Sequence, residues 1–379
     1  MLKKIILLVC LIVVASLLCC CFNKKTEQKV TIQFSSWGSE SEIRILKPIL
    51  IEFEKENPDI KVDFLHIPQN YFQKIHLLFA SNTAPDVIFM NNHYLPIYAN
   101  AGVLEDLSQY EKDLNFDDFY AKSIQTLSWD NKIFALPRDI SNLVIFYNKS
   151  MFDKKGLKYP QKGWTYNEFL DSAKKLSDVP KIFGVSFEEE PLFYMPYLMT
   201  FGVKGVPEFE NEETQKALKK YADLRHHYKV APLKENSASA TMAQMFLQER
   251  LGMYISGRWM VPKFRQDAKF DWDVAEFPGT VPMDASGWAI SKSSKHKAEA
   301  IRLIRYLASY ESSLEFTKSG LIVPARIDVS NSKDFLNKDK PQNSKVFLDV
   351  IETSVPTPVT INYREILDTL KTKAEYILN

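Results

Sequence analysis

Val30-Thr31-Ile32-Gln33-Phe34 alternates apolar and polar side chains, Ser35-Ser36-Trp37-Gly38 interrupts it, and Ser39-Glu40-Ser41-Glu42 follows. An alternating, β-branched run predicts a strand, and Ser39 with Glu42 three residues on predicts a capping box that opens a helix. The unit is strand, turn, helix. Ile43, Leu46, Leu50 and Phe53 keep helical spacing as far as Asn57-Pro58, with Pro48 inside the run expected to kink it. The same alternation repeats: a strand over Ile60 to His66, a helix over Tyr71 to Ala80, a short apolar strand over Asp86 to Met90, a helix over Leu95 to Ala101. Strands alternating with helices predict an α/β fold with a mostly parallel sheet covered on both faces. Ligands of such sheets lie off the carboxyl ends of strands, which here are Ser35 to Gly38 and Asn91 to Tyr94.

Two β-rich runs, Ile133 to Leu136 and Leu143 to Tyr147, flank the polar stretch Pro137-Arg138-Asp139-Ile140-Ser141-Asn142, where a crossing between domains is expected. Gly163-Trp164-Thr165-Tyr166-Asn167-Glu168 starts another capped helix at Thr165. From there to about Phe270 the pattern is mostly helical, with a β-run at Leu251 to Ile255. Strands are expected over Trp272 to Phe277, Ser286 to Ser291 and Leu321 to Pro324, and a helix over Lys297 to Ala308.

The mature chain must fold on its core alone. All four cysteines lie in the first 21 residues, so disulfides, zinc-cysteine sites and a thiol nucleophile are excluded beyond that point. Lys3 and Lys4 precede an apolar run, Ile5 to Leu18, which is too short for a permanent span and closes on Cys19-Cys20-Cys21. This resembles a bacterial lipobox, in which a leucine three residues ahead marks the cysteine that receives lipid. Cys21 is favoured over Cys20, because the polar tether Asn23 to Lys29 follows it. Residues 1–21 are therefore expected to be a lipoprotein signal and 22–29 a linker, placing the protein outside the cytoplasm, lipid-anchored to the bacterial cell membrane.

About 350 further residues exceed what one core usually covers, so two domains are expected. With 48 basic against 47 acidic residues, no net field recruits nucleic acid. There is no phosphate loop, no Gly-x-Ser-x-Gly elbow and no His-Glu-x-x-His, and His226-His227 point to different sides of a helix. No metal site or cofactor is expected. Glu188-Glu189-Glu190 could supply a glycosidase-like acid, with Asp139 as its partner, although acidic runs are usually solvated surface. What gathers at strand ends and turns is instead polar and aromatic: Trp37, Asn91-Asn92-His93-Tyr94, Arg138-Asp139, Glu190, Trp259 and Trp288. A sugar needs that mixture, its C–H face on an indole and its hydroxyls on planar polar groups. Trp129, Trp164 and Trp272 are assigned to the core.

Several segments, in order and spacing, resemble one family, the extracellular solute-binding proteins of sugar ABC importers, a group that includes the maltose-type binding proteins. They are Phe53-Glu54-Lys55-Glu56-Asn57-Pro58-Asp59-Ile60-Lys61-Val62, Ala84-Pro85-Asp86-Val87-Ile88-Phe89, Ala101-Gly102-Val103-Leu104, Ala135-Leu136-Pro137 to Tyr147-Asn148-Lys149, Gly163-Trp164-Thr165, Met253-Tyr254-Ile255-Ser256-Gly257-Arg258-Trp259 and Ala289-Ile290-Ser291-Lys292. The resemblance implies a two-lobed, periplasmic-binding-protein-like fold of type II. The first lobe would be residues 30–137 with 289–322, and the second 138–288 with 323–379. Crossings would fall near Leu136 to Asn142, Ser286 to Ile290 and Leu321 to Arg326. It places ligand contacts on Asn91, Asn92, His93 and Tyr94, on Arg138, Asp139, Ser141 and Asn142, and on Glu190, which opens a Glu-Pro-x-Phe stretch, with Trp259 as a stacking indole. Trp37, Gly287, Trp288 and Tyr363 join them. His93-Tyr94 stand where maltose-type proteins carry Asp-Arg, and Leu192 where an aromatic is expected, which points away from maltodextrin itself. The implied partners are a carbohydrate and the permease subunits of an ABC importer, and the implied state is a monomer. A binder of the same shape for a polyamine, glycerol phosphate or metal chelate is the alternative, and a carbohydrate-active lipoprotein enzyme is another.

Overall fold

The computed structural model describes residues 29–337 and 339–379; the signal, Cys20, Cys21 and residues 22–28 of the linker lie outside them. β1 (Val30–Ser36) pairs in parallel with β2 (Ile60–His66) and with β3 (Val87–Asn91). Between β1 and β2 the helix Glu40–Glu56 runs unbroken through Pro48 and buries Ile43, Leu46, Leu50 and Phe53. Ser39 caps it, its hydroxyl accepting from the Glu42 N–H at 3.3 Å. The reciprocal half of the capping box is not made, because the Glu42 carboxylate is drawn inward to Arg138. At Thr165 both halves are present, opening the helix Tyr166–Leu176.

The chain builds two main sheets. A short hairpin, β4 (Ser128–Trp129) with β5 (Lys132–Ile133), precedes β6 (Ala135–Asn142). β7 (Val144–Asn148), β8 (Phe183–Val185), β9 (Leu251–Ser256) and β10 (Trp272–Ala275) form a four-stranded sheet in the order β10-β7-β9-β8. β11 (Pro282–Ile290), β12 (Val323–Pro324) and β13 (Val355–Pro356) return to the larger sheet, ordered β12-β6-β11-β3-β1-β2 with β13 beside β11. β11 runs antiparallel to both β3 and β6, so the larger sheet is mixed rather than mostly parallel. β8, at three residues, is too short for its periodicity to show in the sequence.

Pro137 to Asn142, expected as the connection between lobes, is strand. β6 continues through Arg138 and Asp139 because their charges are neutralised inside the fold. Passage to the smaller sheet occurs over Leu143 alone, and the return over Glu276 to Val281. The boundaries expected at 137/138 and 288/289 therefore fall within strands of the larger sheet, and so do β12 and β13, expected in the other lobe. The helix Tyr363–Leu378 packs on the helices Pro191–Thr200 and Glu212–His226, on the smaller-sheet side. Each body has its own apolar filling: Ile32, Phe34, Phe89 and Trp288 in one, Phe146, Phe264 and Trp272 in the other.

Candidate functional site

A cavity of about 390 Å³ opens where the two bodies face each other, at the carboxyl end of β3. Asn91, Asn92, His93, Ser141, Asp284 and Ser286 form its wall on the larger sheet. Glu190, Leu192, Met195 and Trp259 form the opposite wall, and Tyr363, Arg364, Asp368 and Lys371, one stripe of the last helix, close its side. The Trp259 indole is half-buried. Glu190, at the N-cap of the Pro191–Thr200 helix, pairs with Lys371, and Arg364 Nη2 donates to Asp368 Oδ1 at 3.4 Å.

Asp284, which sequence reasoning missed, organises the larger-sheet wall. Its Oδ1 accepts from Asn92 Nδ2 at 2.9 Å and lies 2.9 Å from His93 Nε2. Asn92 is spent on structure, since its Oδ1 also accepts from the Ala285 N–H at 3.3 Å. Burial works against ionisation of Asp284, but the charge of His93 and the hydrogen bonds from His93, Thr357 and Asn92 outweigh it and hold the carboxyl below the usual aspartate range. The His93 ring meets the Tyr363 ring edge-on at 5.1 Å, so this network also touches the last helix. Arg364, Asp368 and Lys371 stand at i, i+4 and i+7 on the last helix, a spacing that puts them on one face beside Tyr363 and is the signal that could have shown them.

A second hollow of about 220 Å³ shares Ser141, Ser286 and Trp259 with the first. Trp37 lines it, half-buried against Phe89 at 4.2 Å and Tyr71 at 5.0 Å. So do Arg138 and Asp139. Arg138 donates from Nε to Asp139 and from Nη1 to Glu42, each at 2.5 Å, and its guanidinium lies 4.1 Å from the Phe89 ring centre. Burial pushes the Asp139 carboxyl up despite the opposing pull of Arg138. The triad is therefore first a device that lets β6 carry charge into the fold.

Four expected contacts lie elsewhere. Trp288 is fully buried between Phe34 and Phe89: it pairs with Phe89 in the ladder, two residues inside the strand end that Ser286 and Asn91 mark. Gly287 sits at the β11 bulge, where a Cβ would come 2.2 Å from the Leu136 carbonyl oxygen, so strand approach explains it. Asn142 is buried and donates to the Phe347 carbonyl at 3.0 Å. Tyr94 lies flat on Phe72, centres 3.8 Å apart, outside the cavity wall.

Two mixed α/β bodies with a polar, aromatic cleft between them define the architecture of two-lobed extracytoplasmic binding proteins. The chain belongs to the bacterial extracellular solute-binding protein family, whose model matches residues 39–313. It is similar to the maltodextrin-binding protein MdxE of Bacillus subtilis, 24% identical over 83% of this chain and 77% of that protein. It is also similar to the multiple sugar-binding protein of Streptococcus mutans, 26% identical over 76% and 73%. Among solved structures, an ABC substrate-binding protein from Listeria monocytogenes in complex with cycloalternan superposes with a TM-score of 0.82 at 27% identity, covering 93% of this chain and 94% of that one. Maltose-bound T. maritima MalE3 gives 0.77 at 22% identity, covering 92% and 94%. These relatives are binding proteins, not enzymes. No helix among the described residues is long and apolar enough to cross a membrane, and no group of three or more metal-ligating side chains occurs among them.

Proposed function

We propose that this protein is the lipid-anchored, extracytoplasmic substrate-binding component of an ABC importer, and that it captures a mono- or oligosaccharide between its lobes. The observation that carries the proposal is the half-exposed Trp259 indole facing a wall of short, fixed polar groups: Asn91, His93, Ser141, Asp284 and Ser286. An indole takes the C–H face of a sugar ring, and hydroxyls trade hydrogen bonds with carboxylates and amides at about 0.5–1.5 kcal/mol net each. The cleft cations Lys371 and Arg364 each have a carboxylate partner, which favours a neutral guest over a phosphate. The sugar-binding relatives point the same way.

Capture proceeds by closure. A ligand touching both walls favours the closed form by the free energy of those added contacts, and a permease reads that form. The lobes follow the sheets, with bending at Leu143 and at Glu276 to Val281. Cys21, or Cys20, tethers a monomer to the cell membrane through the polar segment that follows. A thermal-shift screen of the chain from Lys24 tests the substrate class with maltose, maltotriose, galactooligosaccharides, cycloalternan, glycerol phosphates and polyamines. A ligand at 100 times its Kd adds about 2.7 kcal/mol. Stabilisation by a saccharide is expected; hits among phosphates or amines with none among sugars would overturn the assignment.

A further inference from the structure

Trp259 has an unusual bed. The turn Gly257-Arg258-Trp259 follows β9, and it sends Arg258 inward against Phe335 while Trp259 points into the cleft. No aromatic ring among the described residues packs on Trp259, in contrast to Trp37, Trp164, Trp272 and Trp288. Its six-membered ring lies instead directly on Gly257. A methyl placed on Gly257 would come 1.9 Å from Cζ3 and 2.3 Å from both Cε3 and Cη2 of the indole. The backbone there is extended, φ −100° and ψ 176°, a conformation alanine adopts without strain, so the conformational freedom of glycine is not what the site uses. What it uses is the missing side chain.

We propose that Gly257 is the positioning residue of the cleft's stacking surface: its bare Cα lets the Trp259 indole lie against the backbone and face both hollows, which sets affinity for a ring-shaped ligand. The ligand part rests on the saccharide assignment above; the placement of the indole does not. Any side chain at 257 must drive the indole off its bed and into space that a ligand would occupy.

The test is Gly257→Ala in the full chain in detergent, labelled with 5-fluorotryptophan, the Trp259 signal being assigned with W259F. The ¹⁹F resonance of Trp259 is expected to move while those of Trp164 and Trp272 stay in place. In titrations with cycloalternan and maltotriose, G257A is expected to cost about tenfold in affinity, the scale of one lost aromatic contact. In a W259A background the same change should cost less than about twofold, a coupling that a merely structural glycine would not show. An unmoved resonance, or an equal cost in both backgrounds, would overturn the proposal. So would collapse of the G257A/W259A double variant relative to W259A, since the added methyl then has no indole to strike. If the unsubstituted chain binds no saccharide of the thermal-shift panel, the saccharide assignment fails while the resonance still decides the role of Gly257.

Discussion

Replacing Arg138 by methionine keeps an unbranched, flexible side chain and removes the guanidinium charge. Arg138 is 6% exposed, and its two partners, Glu42 and Asp139, are 9% and 5% exposed, so the variant leaves two carboxylates facing each other away from water. Breaking a buried pair in this way costs about 3–5 kcal/mol, mostly for the charge left behind. At about 2–4 °C per kcal/mol for a body of this size, the thermal midpoint near neutral pH should drop by about 6–20 °C. The pH dependence is the sharper readout. Burial already holds the Asp139 carboxyl above its usual range, so its contribution to stability is present in acid and is lost as pH rises through its folded pKa. Without Arg138 that pKa rises further, and the gap between the two proteins should widen from about pH 4 to pH 8. Differential scanning calorimetry across that range measures it. The triple variant E42Q/R138M/D139N, which buries no charge, should recover most of the loss. A gap that is constant with pH, or widest in acid, would refute the idea that uncompensated carboxylates cause the damage.

Asp284→Asn should lower stability by about 1.5–3 kcal/mol at pH 7, the worth of a hydrogen bond to a charged group. Because the Asp284 carboxyl is held low, its contribution is present above the ordinary carboxyl range and fades as pH falls through it; thermal midpoints between about pH 3 and 7 should show the difference vanishing in acid. Trp288→Ala should cost about 3–5 kcal/mol by opening the core under β11, with urea midpoints falling to match, while saccharide titrations of the folded fraction keep the unsubstituted Kd. Arg258→Met should stabilise by about 1–4 kcal/mol, since no nitrogen of the buried guanidinium has a hydrogen-bond partner among the described residues, and burial pushes its pKa down to about 9.

The first third of the fold was legible because its signals are local. Alternation marks β1 and β2, helical spacing marks Glu40–Glu56, and each reads out within a dozen residues. β6 was illegible for the opposite reason. Arg138 and Asp139 look like a loop until Glu42 is brought to them from 96 positions away, and nothing near Glu42 distinguishes a buried ion-pair partner from the acid of a capping box. The same locality explains the smaller sheet, where β9 is buried at every position and stands out, while β8 is lost among helices.

At the site, residue type proved a weaker guide than distance from a strand end. Trp259 and Trp288 are the same side chain, each close behind a Ser-Gly pair, yet one lines the cleft and the other fills the core. The difference is set by the ladder: β3 ends at Asn91 opposite Ser286, so a side chain at 286 meets the opening and one at 288 lies a pleat further in, beneath Phe34 and Phe89. That register comes from pairing between segments nearly 200 residues apart. Asp284 and Ser286 become cleft-lining residues by the same register, whereas Asn91 to His93, which also line the cavity, can be read without it because β3 and its end are continuous in sequence. In an α/β fold of this kind, residues just past a strand's carboxyl end can be read directly, whereas those on an antiparallel return strand need the pairing partner first.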